Sequence, residues 1–183
     1  MPDPRLVPWA VVTPRRLEHI ERVAALAARW AAELGLPAAE RQRWARAVWL
    51  HDALRDAEPE SLRAEAGEPE WPAPLLHGPA AAARAARDGE TDRELLDAVR
   101  YHSVGHPGWG LLGWMLYCAD FLEPGRPFAR EERAALAKRF PGDFERVFRE
   151  VVEQRIDHMK RVGKSVPPPT QALWQRWRDA EGD

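Results

Sequence analysis

Apolar residues recur every three or four positions along most of the chain, which is the spacing of amphipathic helices. In the first such segment Thr13 suits the N-cap and Pro14 suits the first helical position. Gly35 and Pro37 follow as residues that end a helix. The apolar positions between these limits are Leu17, Ile20, Val23, Ala24 and Ala27. The pattern predicts a helix that begins at Pro14 and ends before Gly35.

The same periodicity continues towards the end of the chain. A proline-rich stretch at residues 58–74 interrupts it and predicts a loop with one helical turn. Thr91 to Glu94 match a capping box, and residues 103–108 predict a turn because they are rich in Gly and Pro. Further helices are predicted over about residues 38–54, 79–89, 95–101, 110–122, 130–139 and 143–162, with a short C-terminal helix that Thr170 caps.

No segment alternates in the manner of a half-buried strand, and we find no internal repeat or domain linker. The prediction is therefore an all-α helical bundle. A length of 183 residues suits a single domain, residues 1–183, with its core at about residues 14–165. A chain of this length builds a full hydrophobic core and needs no disulfide or metal in order to fold.

Composition, net charge and cysteine content exclude several classes of protein. Apolar residues make up 45% and charged residues 31%, which excludes disorder over most of the chain. A net charge of -2 excludes a strongly basic nucleic-acid-binding surface. The single cysteine, Cys118, excludes an internal disulfide framework, and the longest apolar run, residues 109–119, is shorter than the ~20 residues of a membrane span. With no secretory leader in the sequence, we expect a cytoplasmic protein without nucleic-acid or membrane partners.

Histidine and aspartate residues lie on or at the ends of the predicted helices, where they could meet at one point. Imidazole and carboxylate groups suit zinc, iron or manganese. Asp120 is the most unusual, because it lies in an otherwise apolar stretch and a buried carboxylate is costly unless it is paired or bound to a metal. Taken singly, His19 also fits a helix boundary, His77 a helix start, and His102 a helix C-terminus that favours positive charge.

The order His, His-Asp, His, His, Asp over residues 19–120 resembles the HD-domain metallophosphohydrolases. Local strings narrow the resemblance to the YqeK-type family of symmetrical bis(5'-nucleosyl)-tetraphosphatases. The most specific string is Ala119-Asp120 followed by Glu123-Pro124 and Arg126. The resemblance covers about residues 14–165, and its strings are at residues 16–19, 50–55, 76–79, 101–105 and 119–126.

The resemblance implies the fold of an HD-domain helical bundle and a site for two divalent metal ions. One ion would be held by His19, His51, Asp52 and Asp120. Asp52 would bridge to a second ion held by His77 and His102. A carboxylate suits this role, because its two oxygens can span ions that are roughly 3.5–4 Å apart. The family implies iron as the metal, with manganese, cobalt or zinc as alternatives.

The same resemblance implies the hydrolysis of diadenosine tetraphosphate to two nucleoside diphosphates, with Asp52 and Arg55 as catalytic residues. A nucleotide would then be the small-molecule partner. The sequence leaves the oligomeric state open, with a homodimer as one alternative. The candidate substrate-binding residues are Arg16, Arg55, Ser103, Gly105 and Arg126. A guanidinium can hold phosphate with two hydrogen bonds, although each arginine also fits an ordinary helix surface. Arg55 stands where the family usually has Lys, Ile20 where it has Ser or Thr, and Ser103 where it has Thr.

Other functions remain open on the sequence. A hydrolase of another nucleotide or phosphoester, such as a guanosine polyphosphate alarmone, would share the metal ligands. Alarmone hydrolases carry a Glu-Asp pair soon after the His-Asp, and residues 53–56 lack that Glu. Cyclic dinucleotide phosphodiesterases carry a Gly-Tyr-Pro motif, which is absent after His102. A non-catalytic metal- or nucleotide-sensing module is a further alternative, and loss of turnover without loss of fold in an Asp52 variant would distinguish it.

Overall fold

A computed structural model describes residues 3–67 and 71–181, and these residues form α-helices joined by turns and loops, with no strand among them. The predicted all-α class is confirmed. Short 3-10 turns lie at Ala73–Leu75 and Phe140–Gly142. The helices are α1 (Pro14–Glu33), α2 (Ala38–His51), α3 (Pro59–Ala66), α4 (His77–Arg87), α5 (Arg93–Tyr101), α6 (Leu111–Leu122), α7 (Arg130–Arg139), α8 (Phe144–Arg161) and α9 (Pro168–Glu181).

Three predicted boundaries are wrong. Helix α2 ends at His51 instead of near residue 54, because the chain turns immediately after the histidine. The proline-rich stretch contains the eight-residue helix α3, which has Pro59 at its start and Gly67 in the left-handed region at its end. Helix α4 begins at His77 instead of Pro79. Proline is tolerated there because the first turn of a helix needs no amide donor from that position.

Side-chain caps begin two of the helices. Thr13 caps α1 as predicted, since its side chain accepts a hydrogen bond from the Arg16 amide, 3.3 Å away. In the predicted capping box, however, Asp92 is the N-cap of α5 instead of Thr91, because the Asp92 carboxylate accepts from the Leu95 amide at 3.1 Å. The caps fix where α1 and α5 begin; α1 carries His19, and His102 directly follows α5.

Helix α6 lies at the centre of the bundle. It is apolar around most of its circumference, as expected for a helix with neighbours on all sides. It contacts α1, α2, α5, α7 and α8. Asp120 is the acidic residue that this helix carries into the interior. Burial of each large apolar side chain contributes about 1.5–3 kcal/mol, so the core holds the helix, and therefore Asp120, firmly in place.

The start of α4 packs closely against the end of α5. A Cβ atom added at Gly78 would lie 2.8 Å from the carbonyl oxygens of Val99 and Arg100 and 3.0 Å from Nδ1 of His102. Glycine therefore allows the two backbones to approach. The approach brings His77, at the first position of α4, beside His102, just after α5.

The two C-terminal helices cover the turn at residues 103–109. Phe148 of α8 packs edge-on against Trp177 of α9, with ring centroids 5.3 Å apart. Thr170 does not cap α9, which begins two residues earlier; its hydroxyl donates to the Val104 carbonyl at 2.5 Å. Thr170 therefore ties α9 to the turn that follows His102. In the ranges 3–67 and 71–181, no helix combines the length and apolar character needed to cross a membrane.

Candidate metal centre

Four histidines surround the Asp52 carboxylate. One of its oxygens, Oδ2, lies 3.6 Å from Nε2 of both His19 and His51. The other, Oδ1, lies 3.2 Å from Nε2 of His77 and 3.5 Å from Nε2 of His102. Each carboxylate oxygen therefore faces a different pair of histidines.

Asp120 completes the group on the side of His19, whose Nε2 is 3.1 Å from Asp120 Oδ1. Two sets of ligand atoms result, each close enough to surround one ion. The first set is His19, His51 and Asp120, and the second is Asp52, His77 and His102. Asp52 also faces the first set through Oδ2, so its two oxygens lie between the two sets.

Every histidine of the centre is oriented through Nδ1. Backbone carbonyls accept from His51, His77 and His102, with distances of 2.6 Å to Val48, 2.9 Å to Pro74 and 2.7 Å to Val99. His19 uses Glu123 Oε1, at 3.2 Å. Because carbonyl and carboxylate oxygens only accept, each of these histidines carries a proton on Nδ1. In His51, His77 and His102 the Nε2 lone pair then points into the centre. This is the arrangement that metal-binding histidines usually have.

The donor set fits metal ions. Nε2 of His51 is buried without a hydrogen-bond partner, which is costly unless another ligand satisfies it. Nε2 of His77 and Nε2 of His102 lie 3.0 Å apart. With both protons on Nδ1, two lone pairs face each other there, and a cation would relieve the repulsion between them.

Burial and neighbouring charges set the protonation of the ligands. Burial lowers the pKa of His51 to about 4, so its imidazole is neutral. Burial acts in the same direction on His19, but hydrogen bonds to Asp120 and Glu123 outweigh it and raise the pKa of His19 to about 9. Burial also acts to raise the pKa of Asp52, yet the surrounding histidines hold that pKa well below its usual range. The carboxylate is therefore ionised and ready to bind a cation.

The centre forms the floor of a cleft of about 640 Å³. Arginines lie along it. Arg16 donates to Asp52 Oδ2 at 2.7 Å, and Arg126 donates to Asp120 Oδ1 at 2.7 Å. Arg55 also lines the cleft, close enough that its positive charge contributes to lowering the pKa of His77, after the larger effect of burial. The three arginines that the sequence predicts to bind phosphate therefore lie beside the candidate metal ligands.

The two small residues of the predicted substrate site lie in different places. Ser103 lines the cleft, with its hydroxyl 3.1 Å from Nε2 of His102. Gly105 is not among the cleft-lining residues. Its φ of +81° suits glycine, and an added Cβ would lie 2.8 Å from Leu173 of α9. The structure therefore gives Gly105 a conformational reason to be glycine, and we assign it no phosphate contact.

Two functional residues were missed by the sequence reasoning. Glu123 is 2% exposed and orients His19, while Arg22 and the Gly125 amide each hold its other oxygen at 2.6 Å. Burial acts to raise its pKa, but the hydrogen bonds from His19 and Arg22 lower the pKa to about 2. The position of Glu123 three residues after Asp120, at the end of α6, was the available signal.

Arg155 of α8 is the second missed residue. It donates to Asp120 Oδ2 at 2.9 Å and to the Ser103 carbonyl at 3.3 Å. Its guanidinium lies over the Tyr117 ring, 4.1 Å from the centroid. Together with Arg126, it gives Asp120 a cationic partner at each oxygen. Nothing in the sequence distinguishes Arg155 from the many other arginines.

Comparison with known proteins gives a family match. The HD domain family matches residues 16–136. A symmetrical bis(5'-nucleosyl)-tetraphosphatase from Bacillus subtilis (strain 168) is 36% identical over 90 residues, 45% of this chain and 48% of that protein. A protein of the same name from Halalkalibacterium halodurans is 37% identical over 60 residues, 32% of each chain. The chain thus spans about half the length of the first relative and a third of the second.

One solved structure supports the fold. It is the crystal structure of a protein from Clostridium acetobutylicum, described as a predicted HD superfamily hydrolase involved in NAD metabolism. The TM-score is 0.75, with 24% sequence identity, and the alignment covers 90% of this chain and 92% of that one. The likeness therefore extends beyond residue 136, where the family match ends.

Proposed function

We propose a function from one premise, that the chain belongs to the HD domain family. The proposed reaction is metal-dependent, symmetrical hydrolysis of diadenosine tetraphosphate and similar dinucleoside polyphosphates to two nucleoside diphosphates. The observation that carries it is Asp52, whose two oxygens face two separate histidine pairs within a cleft lined by arginines. The names of the two partial relatives supply the substrate class.

Two divalent ions would be held at this centre, with iron as the first candidate and manganese, cobalt or zinc as alternatives. The ligands would be His19, His51, Asp52 and Asp120 for one ion and Asp52, His77 and His102 for the other. Bound divalent ions supply Lewis-acid stabilisation of phosphoryl oxygens and activation of water. Cytoplasmic location remains a prediction from the sequence, and a homodimer remains one alternative for the assembly.

The protein's own residues would bind and align the polyphosphate. Arg16 and Arg126 contact the ligand carboxylates from the cleft side, and a guanidinium can exchange a carboxylate for a phosphate with similar geometry. Arg55 lies in the same cleft and would add a third cation. Because an arginine does not give up its proton near neutral pH, Arg55 would hold phosphate without acting as an acid. Ser103 offers a hydroxyl beside His102.

The test is a product analysis with metal-loaded protein and diadenosine tetraphosphate, read by chromatography. ADP as the sole product supports the proposal. AMP with ATP would overturn the symmetrical cut, and no turnover with iron, manganese or cobalt would overturn the substrate and favour another phosphoester or a sensing module.

Asp52→Asn should abolish turnover while the helical circular dichroism spectrum is retained. Asp97→Asn, at an exposed position on α5, is the matched control and should leave turnover unchanged.

A further inference from the structure

The cleft is larger than the metal centre at its floor, and an aromatic ring lies at its edge. Phe128 lines the cleft and is 49% exposed. Exposure of a large aromatic ring forfeits the burial that normally stabilises it. An aromatic ring that stays accessible at the edge of a cleft lined by arginines suits a ligand with a flat apolar face and a negative charge.

The loop that carries Phe128 is held by a buried arginine. Arg133 is 2% exposed, and it donates to the carbonyls of Phe121, Glu123 and Arg126, with the Phe128 carbonyl at 3.5 Å. Its guanidinium also lies over the Phe128 ring, 5.0 Å from the centroid. The ring is therefore supported from the protein side by a cation–π contact while half of its surface remains accessible.

The backbone beside Phe128 is strained. Ala129 has φ 44° and ψ 45°, and it is the non-glycine residue with positive φ among residues 3–67 and 71–181. A left-handed conformation costs a residue with a Cβ about 1–2 kcal/mol. Strain of this kind persists where the surrounding structure enforces it and is concentrated at ligand sites. Here it lies next to the exposed ring and at the cleft itself.

Phe128 also lies close enough to the proposed phosphate contact for one nucleotide to reach both residues. Arg126, the proposed phosphate contact, is two residues earlier, so their Cα atoms are separated by at most about 7 Å. Across the cleft, α8 contributes His158 and Met159 to the lining. A polarisable thioether and an imidazole are suitable neighbours for an aromatic face.

We propose that Phe128 is the stacking platform for a nucleobase, so that the 123–129 loop binds one nucleoside end of the substrate while Arg126 binds its adjoining phosphate. This inference rests on the proposed function, since it assigns a subsite of that substrate. Stacking on an aromatic ring is tolerant of base identity, so the subsite would accept adenine and guanine nucleotides alike.

The test is calorimetric binding of ADP and of inorganic pyrophosphate to the manganese-loaded chain. Phe128→Ala should weaken ADP binding about tenfold, within the range for loss of one base–aromatic stack, and leave pyrophosphate binding unchanged. Phe128→Tyr should retain ADP binding, and Val162→Ala, at an equally exposed apolar residue outside the cleft lining, is the matched control. Circular dichroism verifies that each variant folds, and Phe128→Leu replaces Phe128→Ala if that variant does not.

The outcomes separate this inference from the proposed function. Unchanged ADP binding in Phe128→Ala, or equal weakening of ADP and pyrophosphate, overturns the stacking platform even if the wild type cleaves diadenosine tetraphosphate. Selective loss of ADP binding in a chain that fails to cleave diadenosine tetraphosphate supports the platform and overturns the proposed reaction. In an active wild type, the same variant should raise the KM for diadenosine tetraphosphate about tenfold and change kcat less than twofold.

Discussion

The His19 imidazole is held between two carboxylates, with Asp120 at Nε2 and Glu123 at Nδ1. In the metal-free protein this raises the pKa of His19 to about 9, whereas burial lowers the pKa values of His51 and His77. A metal ion needs the unprotonated Nε2 of His19, so binding must displace a proton from this residue near neutral pH. The proton links metal affinity to pH.

We predict that manganese affinity rises about tenfold per pH unit between pH 7 and 8.5, since one proton is displaced. Calorimetry in buffers of different ionisation enthalpy measures that proton. Glu123→Gln should move the rise to lower pH, because His19 loses one charged acceptor, while Glu33→Gln, 48% exposed on the same helix as His19, should not. Affinity that is flat over this range would contradict the assignment.

The stability of the metal-free chain should depend on pH in the opposite sense. A pKa raised from 6.5 to about 9 means that protonated His19 stabilises the fold fully below about pH 6.5. This contribution is lost as the pH rises through 9. The lowered pKa of Glu123 adds a contribution that is present above about pH 4.5 and is lost as the pH falls towards 2.

Individual residues show what the sequence could establish. The six candidate ligands could be identified because His, His-Asp, His, His and Asp follow one another in a distinctive order, and an acid inside apolar α6 requires a partner. The roles of Glu123 and Arg155 depend on contacts over 104 and 35 positions. Such contacts are fixed by helix packing, which local patterns do not encode.

At the scale of elements, α8 completes a site whose ligands all lie within residues 16–136. Arg155 of α8 donates hydrogen bonds to Asp120 Oδ2 and to the Ser103 carbonyl, while Arg126 donates to the other oxygen of Asp120, Oδ1. Arg155 is therefore a positioning residue, which acts on the metal centre through Asp120. Its support comes from the packing of α8 against α6.

We predict that Arg155→Met weakens metal affinity about 10- to 100-fold, the range typical for removing a group that orients a ligand. Arg155→Lys should restore part of this affinity, because a cation returns without the planar fork. Arg146→Met, at an exposed position on the same helix, should bind metal normally. Reduced thermal stability with unchanged metal affinity would show that Arg155 is merely structural.

The junction of α4 and α5 determines the second histidine pair. Gly78→Ala would place a Cβ 2.8 Å from two backbone oxygens of α5, so the helices must separate. We predict destabilisation of about 1–3 kcal/mol and weaker binding of the ion held by His77 and His102. Denaturant unfolding and metal titration measure the two effects. Gly142→Ala, where an added Cβ meets nothing within 4 Å, is the control; equal effects of the two variants would contradict the account.

Element boundaries were predictable where a cap or breaker was unambiguous, as at Thr13 and Pro14. They were wrong where tertiary contacts decide the conformation. Thr170 was predicted to cap α9, but its hydroxyl binds the Val104 carbonyl in a different part of the chain. For helix α3 the pattern predicts only one helical turn within a loop, because prolines dominate it, although Pro59 begins an eight-residue helix.

At the scale of the whole molecule, a net charge of -2 conceals a local concentration of arginines. Arg16, Arg55, Arg126, Arg155 and Arg161 all line the cleft above the metal centre. A cluster of positive charges in a cleft attracts compact polyanions. Composition could not reveal this cleft, because charge placement follows from the fold.

The central claim is that Asp52 joins two ion sites in one buried centre. The most direct measurement is the metal content of the purified chain after saturation and removal of excess ion, by mass spectrometry of the elements. We predict two equivalents of metal ion per chain in the wild type and in Asp97→Asn. In Asp52→Asn at least one equivalent should be lost while the helical fold is retained. One equivalent or fewer in the wild type, or two equivalents in Asp52→Asn, would contradict this claim.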